Sequence, residues 1–221
     1  MNEAISAINL TESTDADRWI GVFQQRGVWH LTPDMINRWV ARNNAFFAML
    51  TRRVARGSKI LELGCGPGRH ALGAASLGYK VLGIDLDPDI VAQARANARE
   101  AGAGHDIAFE VGDMFNLEAI TLKGTFQAIT HGGVMEHLAS ARSIRDSLRD
   151  QLDLAPCVIF DVPFNSAKNL GLFSRDDIFR QLWTAEEWIN DVLAGLPVVE
   201  TAIELHPEAN MTDDLVVALH A

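Results

Sequence analysis

LELGCGPG (61–68) joins a short apolar strand, KILEL (59–63), to a small-residue helix running from about Arg69 to Leu77. Gly64, Gly66 and Gly68 have no Cβ, so the backbone between strand and helix can turn tightly and approach a ligand within contact distance. In an open α/β sheet such a turn lies at the carboxyl edge of the strands, where ligands bind. A tight connection with no ligand would use the same glycines, so the turn alone does not decide between the two.

Outward from this turn the chain alternates strand and helix. YKVLGID (79–85) is a second strand, and Pro88 opens a helix ended by Gly102. IAFEVGD (107–113) and FQAIT (126–130) are the third and fourth strands. A helix from about Glu136 to Leu152 leads to the fifth, CVIFDVPF (157–164). LWTAEEWINDVLAGL (182–196) reads as a helix with Thr184 as N-cap and acids in its first turn. PVVETAIEL (197–205) and DDLVVALHA (213–221) are joined by a short loop with no crossover helix, so they should form an antiparallel hairpin. The alternation implies parallel βαβ units with helices on both faces. The fold class is therefore α/β: a doubly wound seven-stranded sheet, last strand antiparallel. Upstream of Gly57 the sequence is helical and rich in aromatics, with Pro33 after Thr32 as a helix start and one amphipathic helix expected from Asp34 to about Arg56. Residues 1–57 then form an N-terminal helical cap, and residues 58–221 the sheet domain.

The 221 residues carry 19 basic and 29 acidic side chains, a net charge of −10. This balance weighs against nucleic-acid partners, whose phosphates are gripped by clustered Lys and Arg. Cys65 and Cys157 form no paired motif, which argues against a disulfide scaffold and against a metal cluster. The first residues lack the basic and apolar regions of a signal peptide, and no run of about 18 apolar residues occurs. A cytoplasmic protein with no membrane partner is expected, as a monomer or homodimer.

Two aspartates sharpen the glycine turn. Asp85 ends the second strand 21 residues after Gly64, the place for a carboxylate that accepts both hydroxyls of a ribose. Asp113 ends the third strand, where it can accept from an adenine amino group. Either residue alone could be a solvated or capping side chain. A dinucleotide site competes, but its fingerprint needs a third glycine at the sixth position, and Arg69 stands there.

Glu62-Leu63-Gly64-Cys65-Gly66-Pro67-Gly68, Gly83-Ile84-Asp85 and Gly112-Asp113-Met114 resemble the motifs of class I S-adenosylmethionine-dependent methyltransferases. The resemblance runs from about Lys59 to Phe164 and implies the Rossmann-like fold of that family, with S-adenosyl-L-methionine as cofactor. It places Glu62, Gly64, Cys65, Gly66 and Gly68 against the methionine part, Asp85 on the ribose, and Leu86, Asp113 and Met114 around the adenine. His131, in ITHGGVMEHL (129–138), falls in the family's fourth-strand region near the reactive methyl. A pocket edged by Glu62, Asp85 and Asp113 suits a cation at sulfur. The expected reaction is in-line transfer of a methyl group to the oxygen or nitrogen of a small molecule. Methylation of a protein, other chemistry with the same cofactor, and a silent cofactor-binding module are the alternatives.

Acceptor residues are less marked. Thr130-His131-Gly132-Gly133 replaces the Asn/Asp-Pro-Pro-aromatic motif of the nucleic-acid amino-methyltransferases. His131 and His137 are candidate general bases, against a null in which one contacts cofactor and the other caps a helix. Glu136-His137 resembles part of a Glu-x-x-Glu-His metal cluster, but Gly133 stands where its first glutamate would be, so no metal is expected. Trp29, His30, Phe164 and Asn165 are the candidate substrate-pocket residues. Trp19, Phe23, Trp39 and the segment Asn165–Trp183 could also shape that cavity, although for Trp39, Phe46 and Phe47 core packing is favoured, because their helical spacing explains them.

Overall fold

The computed structural model describes residues 14–117, 126–174 and 178–221, the side chains of 14–17 excepted. The first 13 residues of the expected cap, and residues 175–177 of the expected cavity-shaping segment, lie outside the described residues. Among the described residues three helices precede the sheet: α1 (Thr14–Gln25), α2 (Pro33–Arg42) and α3 (Asn44–Arg53). The expected single helix from Asp34 to Arg56 is thus two. Asn43 divides them, because both its backbone N–H and its side-chain Nδ2 donate to the Trp39 carbonyl, each at 2.9 Å. A short amide side chain competing for helix carbonyls is a common way to end a helix. Thr32 caps α2 as expected, its side chain accepting from the Met35 N–H.

The alternation that follows is β1 (Lys59–Leu63), α4 (Arg69–Ser76), β2 (Lys80–Asp85), α5 (Pro88–Glu100), β3 (Ile107–Val111), β4 (Ala128–Gly132), α6 (Ala141–Leu154), β5 (Cys157–Pro163) and α7 (Ala167–Phe173). A helical turn, α8 (Ala185–Glu187), runs into a π-turn (Trp188–Val192), and β6 (Val198–Glu204) and β7 (Asp214–His220) close the chain. All seven strands form one sheet in the order β3-β2-β1-β4-β5-β7-β6. The first five are parallel, and β7 lies antiparallel between β5 and β6.

Three expected elements start, run or end differently. α6 begins at a Ser140 cap, where Ser140 and Ser143 cap each other reciprocally, and Met135–His137 is a separate 3₁₀ turn. Thr184 caps as expected, with Glu187 returning the bond, but the helix it starts widens into the π-turn within one turn. β3 ends at Val111, so Asp113 sits in the following loop.

The apolar strands are buried on both faces, which is why they read as continuous rather than alternating runs. On one face Leu61, Leu63, Ile129, Phe160 and Val162 pack with Ile144 and Leu148 of α6 and with Trp188. On the other, Ile60, Val81, Ile159 and Val216 pack with Phe46 and Phe47 of α3, Ala71 of α4 and Val91 of α5. Among the described residues no helix is long and apolar enough to cross a membrane.

Candidate functional site

The carboxyl ends of β1, β2, β4 and β5 meet at one edge, and the glycine turn sits in its middle. Gly64, Gly66 and Gly68 have φ of +60°, +53° and +95°, values that L side chains rarely adopt. A Cβ on Gly64 would stand 2.9 Å from a Val134 methyl, on Gly66 3.0 Å from the Phe23 ring, and on Gly68 2.9 Å from the Phe109 ring. The turn is held from below: the Cys65 N–H donates to the Ile84 carbonyl (2.9 Å), and the Gly66 N–H to Asp85 Oδ2 (2.9 Å). Asp85 also accepts from the Asp87 N–H (3.2 Å). Burial raises the Asp85 carboxyl above its ordinary range, with the backbone donors of Gly66, Asp87 and Leu86 opposing. Leu86 is half-exposed beside it.

Of the other expected cofactor residues, Asp113 is exposed and accepts from the Phe115 N–H (2.9 Å), and Met114 packs partly against the core. Cys65 is buried and its thiol is pushed well up by burial, then by Asp85, so the position offers bulk rather than a thiolate. Glu62 is 2% exposed with Oε2 unpartnered, and burial, followed by Asp161, drives its carboxyl toward the protonated form. Burial thus works against the negative charge expected of Glu62 from the sequence.

The two histidines differ. His131 is 0% exposed and stacked on Phe160, with Gln151 near its ring. Burial lowers it to about 3, which keeps the ring neutral. His137, in the 3₁₀ turn after β4, faces the edge. Its Nδ1 donates to the Phe179 carbonyl (2.7 Å), and its Nε2 lies 3.4 Å from Glu136 Oε1. The Trp19 ring meets it edge-on at 5.0 Å between centroids.

Trp19 and Phe23 stack on one another along α1, so one helix covers both the glycine turn and His137. Trp29 and His30 lie on the flank of α5: His30 is exposed and bonds Gln93, while Trp29 is fixed through its carbonyl. The structure thus brings Trp19 and Phe23, and not His30, to the edge. Phe164 packs on the core rim and Asn165 is exposed, its N–H donating to the Trp183 carbonyl (2.8 Å).

Three contributors were not singled out in the sequence. Asn97 of α5 is fully buried and bonds Leu31 N–H, the Trp29 carbonyl and the Pro67 carbonyl, tying the segment after α1 to the glycine turn. His70 pairs with Asp161 of β5 at 3.1 Å. The only acid inside CVIFDVPF was the available signal for that pair. Arg69 lies with its guanidinium 3.9 Å from the Trp39 ring centroid. Among the described residues no group of three or more His, Cys, Asp or Glu side chains is placed to hold a metal ion.

A seven-stranded sheet with this order, a three-glycine turn after β1 and an aspartate closing β2 define the fold of class I S-adenosylmethionine-dependent methyltransferases. Residues 60–152 match the family model described as a methyltransferase domain. The magnesium protoporphyrin IX methyltransferase of Synechocystis PCC 6803, solved with bound SAH (S-adenosylhomocysteine), superposes with a TM-score of 0.67 at 17% identity, over 95% of each chain. The ribosomal protein L11 methyltransferase of Thermus thermophilus is 47% identical over 53 residues, 24% of this chain and 21% of that protein. The ubiquinone biosynthesis O-methyltransferase of Xanthomonas euvesicatoria is 33% identical over 94 residues, 42% of this chain and 38% of its own. The chain thus spans well under half the length of these curated relatives.

Proposed function

We propose that this chain is an S-adenosylmethionine-dependent methyltransferase that methylates an oxygen or nitrogen of a small molecule. The observation that carries the reading is the cradle: three positive-φ glycines that a Cβ would fill, an aspartate at the end of the next strand, and aromatic α1 over the top. When bound, S-adenosylmethionine supplies an electrophilic methyl group on a positively charged sulfur. Asp85, already fixed by the Gly66 N–H, accepts from the ribose hydroxyls, while Leu86, Asp113 and Met114 border the adenine. Gly64, Gly66 and Gly68 let the backbone approach the methionine part.

His137 is the residue placed to take a proton from the acceptor, since its Nδ1–H is committed to the Phe179 carbonyl and its Nε2 keeps the lone pair. Glu136 beside it, buried with Oε2 unpartnered, would favour the imidazolium that results. Trp19 and Phe23 exclude water and align the acceptor. A covered edge and a net charge of −10 support a small acceptor over a nucleic acid or a broad polypeptide. On this reading residues 1–57 are the cap that selects the acceptor and 58–221 the cofactor domain. Two buried free cysteines fit a reducing compartment such as the cytoplasm.

Calorimetric titration with S-adenosylhomocysteine tests the cofactor site. Binding at or below millimolar concentration is expected, weakened by about 1–3 kcal/mol in Asp85→Ala, the scale of a lost charged hydrogen bond. Absence of binding at millimolar ligand overturns the proposal.

A further inference from the structure

A cavity of about 240 Å³ opens beside the glycine turn, between the connection from α1 to α2, α2 itself, the first residue of α4 and the loop joining β6 to β7. Its lining includes four arginines, Arg26, Arg38, Arg42 and Arg69, and not one carboxylate, although acids outnumber bases 29 to 19 in the chain. The remaining wall is apolar, with Val28, Leu31, Trp39 and Met211 among its residues. This is the reverse of the molecule's average surface.

The arginines are not equivalent. Arg38 pairs with Asp34 at the rim, and Arg42 with Glu208 at 3.0 Å. Arg69 lies flat over Trp39, and among the described residues its guanidinium has no hydrogen-bond or ion-pair partner. The Trp39 Nε1–H is buried and also unpartnered. Burial lowers Arg69 to about 10, and the like charge of Arg26 adds to that. Asp161, Asp214 and Glu62 act on Arg69 from the strand ends, but burial raises Glu62 and Asp214 well toward their neutral forms. A guanidinium with no carboxylate partner beside a buried, unpartnered indole N–H is the recognition chemistry of an oxyanion.

We propose that this cavity receives the anionic end of the methyl acceptor, a carboxylate or phosphate carried on a small apolar or aromatic body. The inference rests on the methyltransferase reading, because Arg69 follows Gly68 directly and the cavity adjoins the proposed cofactor cradle. Arg69 and the Trp39 Nε1–H hold the anion, and Val28, Leu31 and Met211 cover the body. A carboxylate could also come from the methionine part of the cofactor, so the test must separate the two sources.

The full chain is titrated calorimetrically with benzoate and with phenyl phosphate, using benzamide as the neutral match, each with and without saturating S-adenosylhomocysteine. At least one anion is expected to bind in the presence of S-adenosylhomocysteine, about tenfold or more tighter than benzamide. Arg69→Gln should lose about tenfold or more of that affinity, and Trp39→Phe, which keeps the ring but not the donor, a smaller part. If Arg69→Gln does not fold, Met211→Trp fills the cavity from the loop side and must still lose the anion. Three results overturn the inference: no binding by either anion, equal binding by benzamide, or displacement of the anion by S-adenosylhomocysteine. The last would assign the arginines to the cofactor's own carboxylate. Failure of S-adenosylhomocysteine itself to bind overturns the cofactor reading instead, so the two failures are distinguishable.

Discussion

Asn97 offers a direct test of how the cap segment and the glycine turn are joined. Its Oδ1 accepts from the Leu31 N–H (3.1 Å) and from Gln93 Nε2 (2.9 Å), and its Nδ2 donates to the Trp29 and Pro67 carbonyls, both at 2.9 Å. Every donor and acceptor of the side chain is in use, at 0% exposure. Asn97→Ala strands the Leu31 N–H and the Pro67 carbonyl in a buried place. At about 1–3 kcal/mol per orphaned group, the loss should be about 3 kcal/mol, or a Tm lower by about 6–12 °C for a domain of this size. Asn97→Asp is nearly isosteric, yet it should be no better than alanine at neutral pH. It keeps the acceptor for Leu31 but turns lone pairs toward two carbonyls. Protonation restores one donor, so the aspartate variant should recover stability on acidification, when wild type does not. Urea denaturation at several pH values reads this out, and calorimetry should show weaker S-adenosylhomocysteine binding, because Pro67 lies inside the turn. An Asn97→Asp protein as stable as wild type at neutral pH would refute the accounting.

Four further outcomes are expected. His131 sits near 3 in the folded chain and near its ordinary value of about 6.5 when unfolded, so the unfolded state binds more protons between the two. This group then removes up to about 1.4 kcal/mol of stability per pH unit below about 6.5, and His131→Phe should flatten the acid limb of a Tm-against-pH curve. Gly66→Ala should weaken S-adenosylhomocysteine about tenfold or more, and adding Phe23→Ala should rescue only part, because the +53° φ remains strained when the 3.0 Å contact is gone. His137→Gln should lower turnover by about two orders of magnitude with cofactor affinity nearly unchanged, whereas a parallel loss of affinity would make it a cofactor contact. In Gly132→Ala the new Cβ would meet His70 Cε1 and Asp161 Oδ1, the latter at 3.0 Å, so the pair must shift, at about 1–3 kcal/mol measured by denaturation.

The sheet was readable because its signals are local and mutually consistent. Apolar runs bounded by glycine turns located the strands to within a residue or two, and the short loop before DDLVVALHA dictated the antiparallel hairpin. Helix boundaries were missed where one polar side chain decides them, as Asn43 does between α2 and α3 and Ser140 does before α6. The glycine turn and Asp85 could be found because their conformational demands exclude most other residues. The opposite holds for Asn97, Arg69 and the His70–Asp161 pair, whose partners lie 30 to 91 positions away in the chain. Nor does spacing reveal protonation. Glu62 reads as a charge in the sequence, and only the burial its strand imposes pushes its carboxyl toward the protonated form.

The placement of β7 also constrains the order in which the molecule can assemble. β6 precedes it in the chain, yet β6 reaches the sheet only through β7. Until residues 214–220 insert, β6 has no neighbour in the sheet, and β5 presents CVIFDVP as an unpaired and almost wholly apolar edge. Such edges pair readily with other chains. Closing the sheet requires residues 157–163 to meet residues 214–220 across a long intervening segment, a contact that forms slowly. Refolding yield should therefore depend on a race between this one insertion and association of exposed β5 edges, and dilution should favour the insertion.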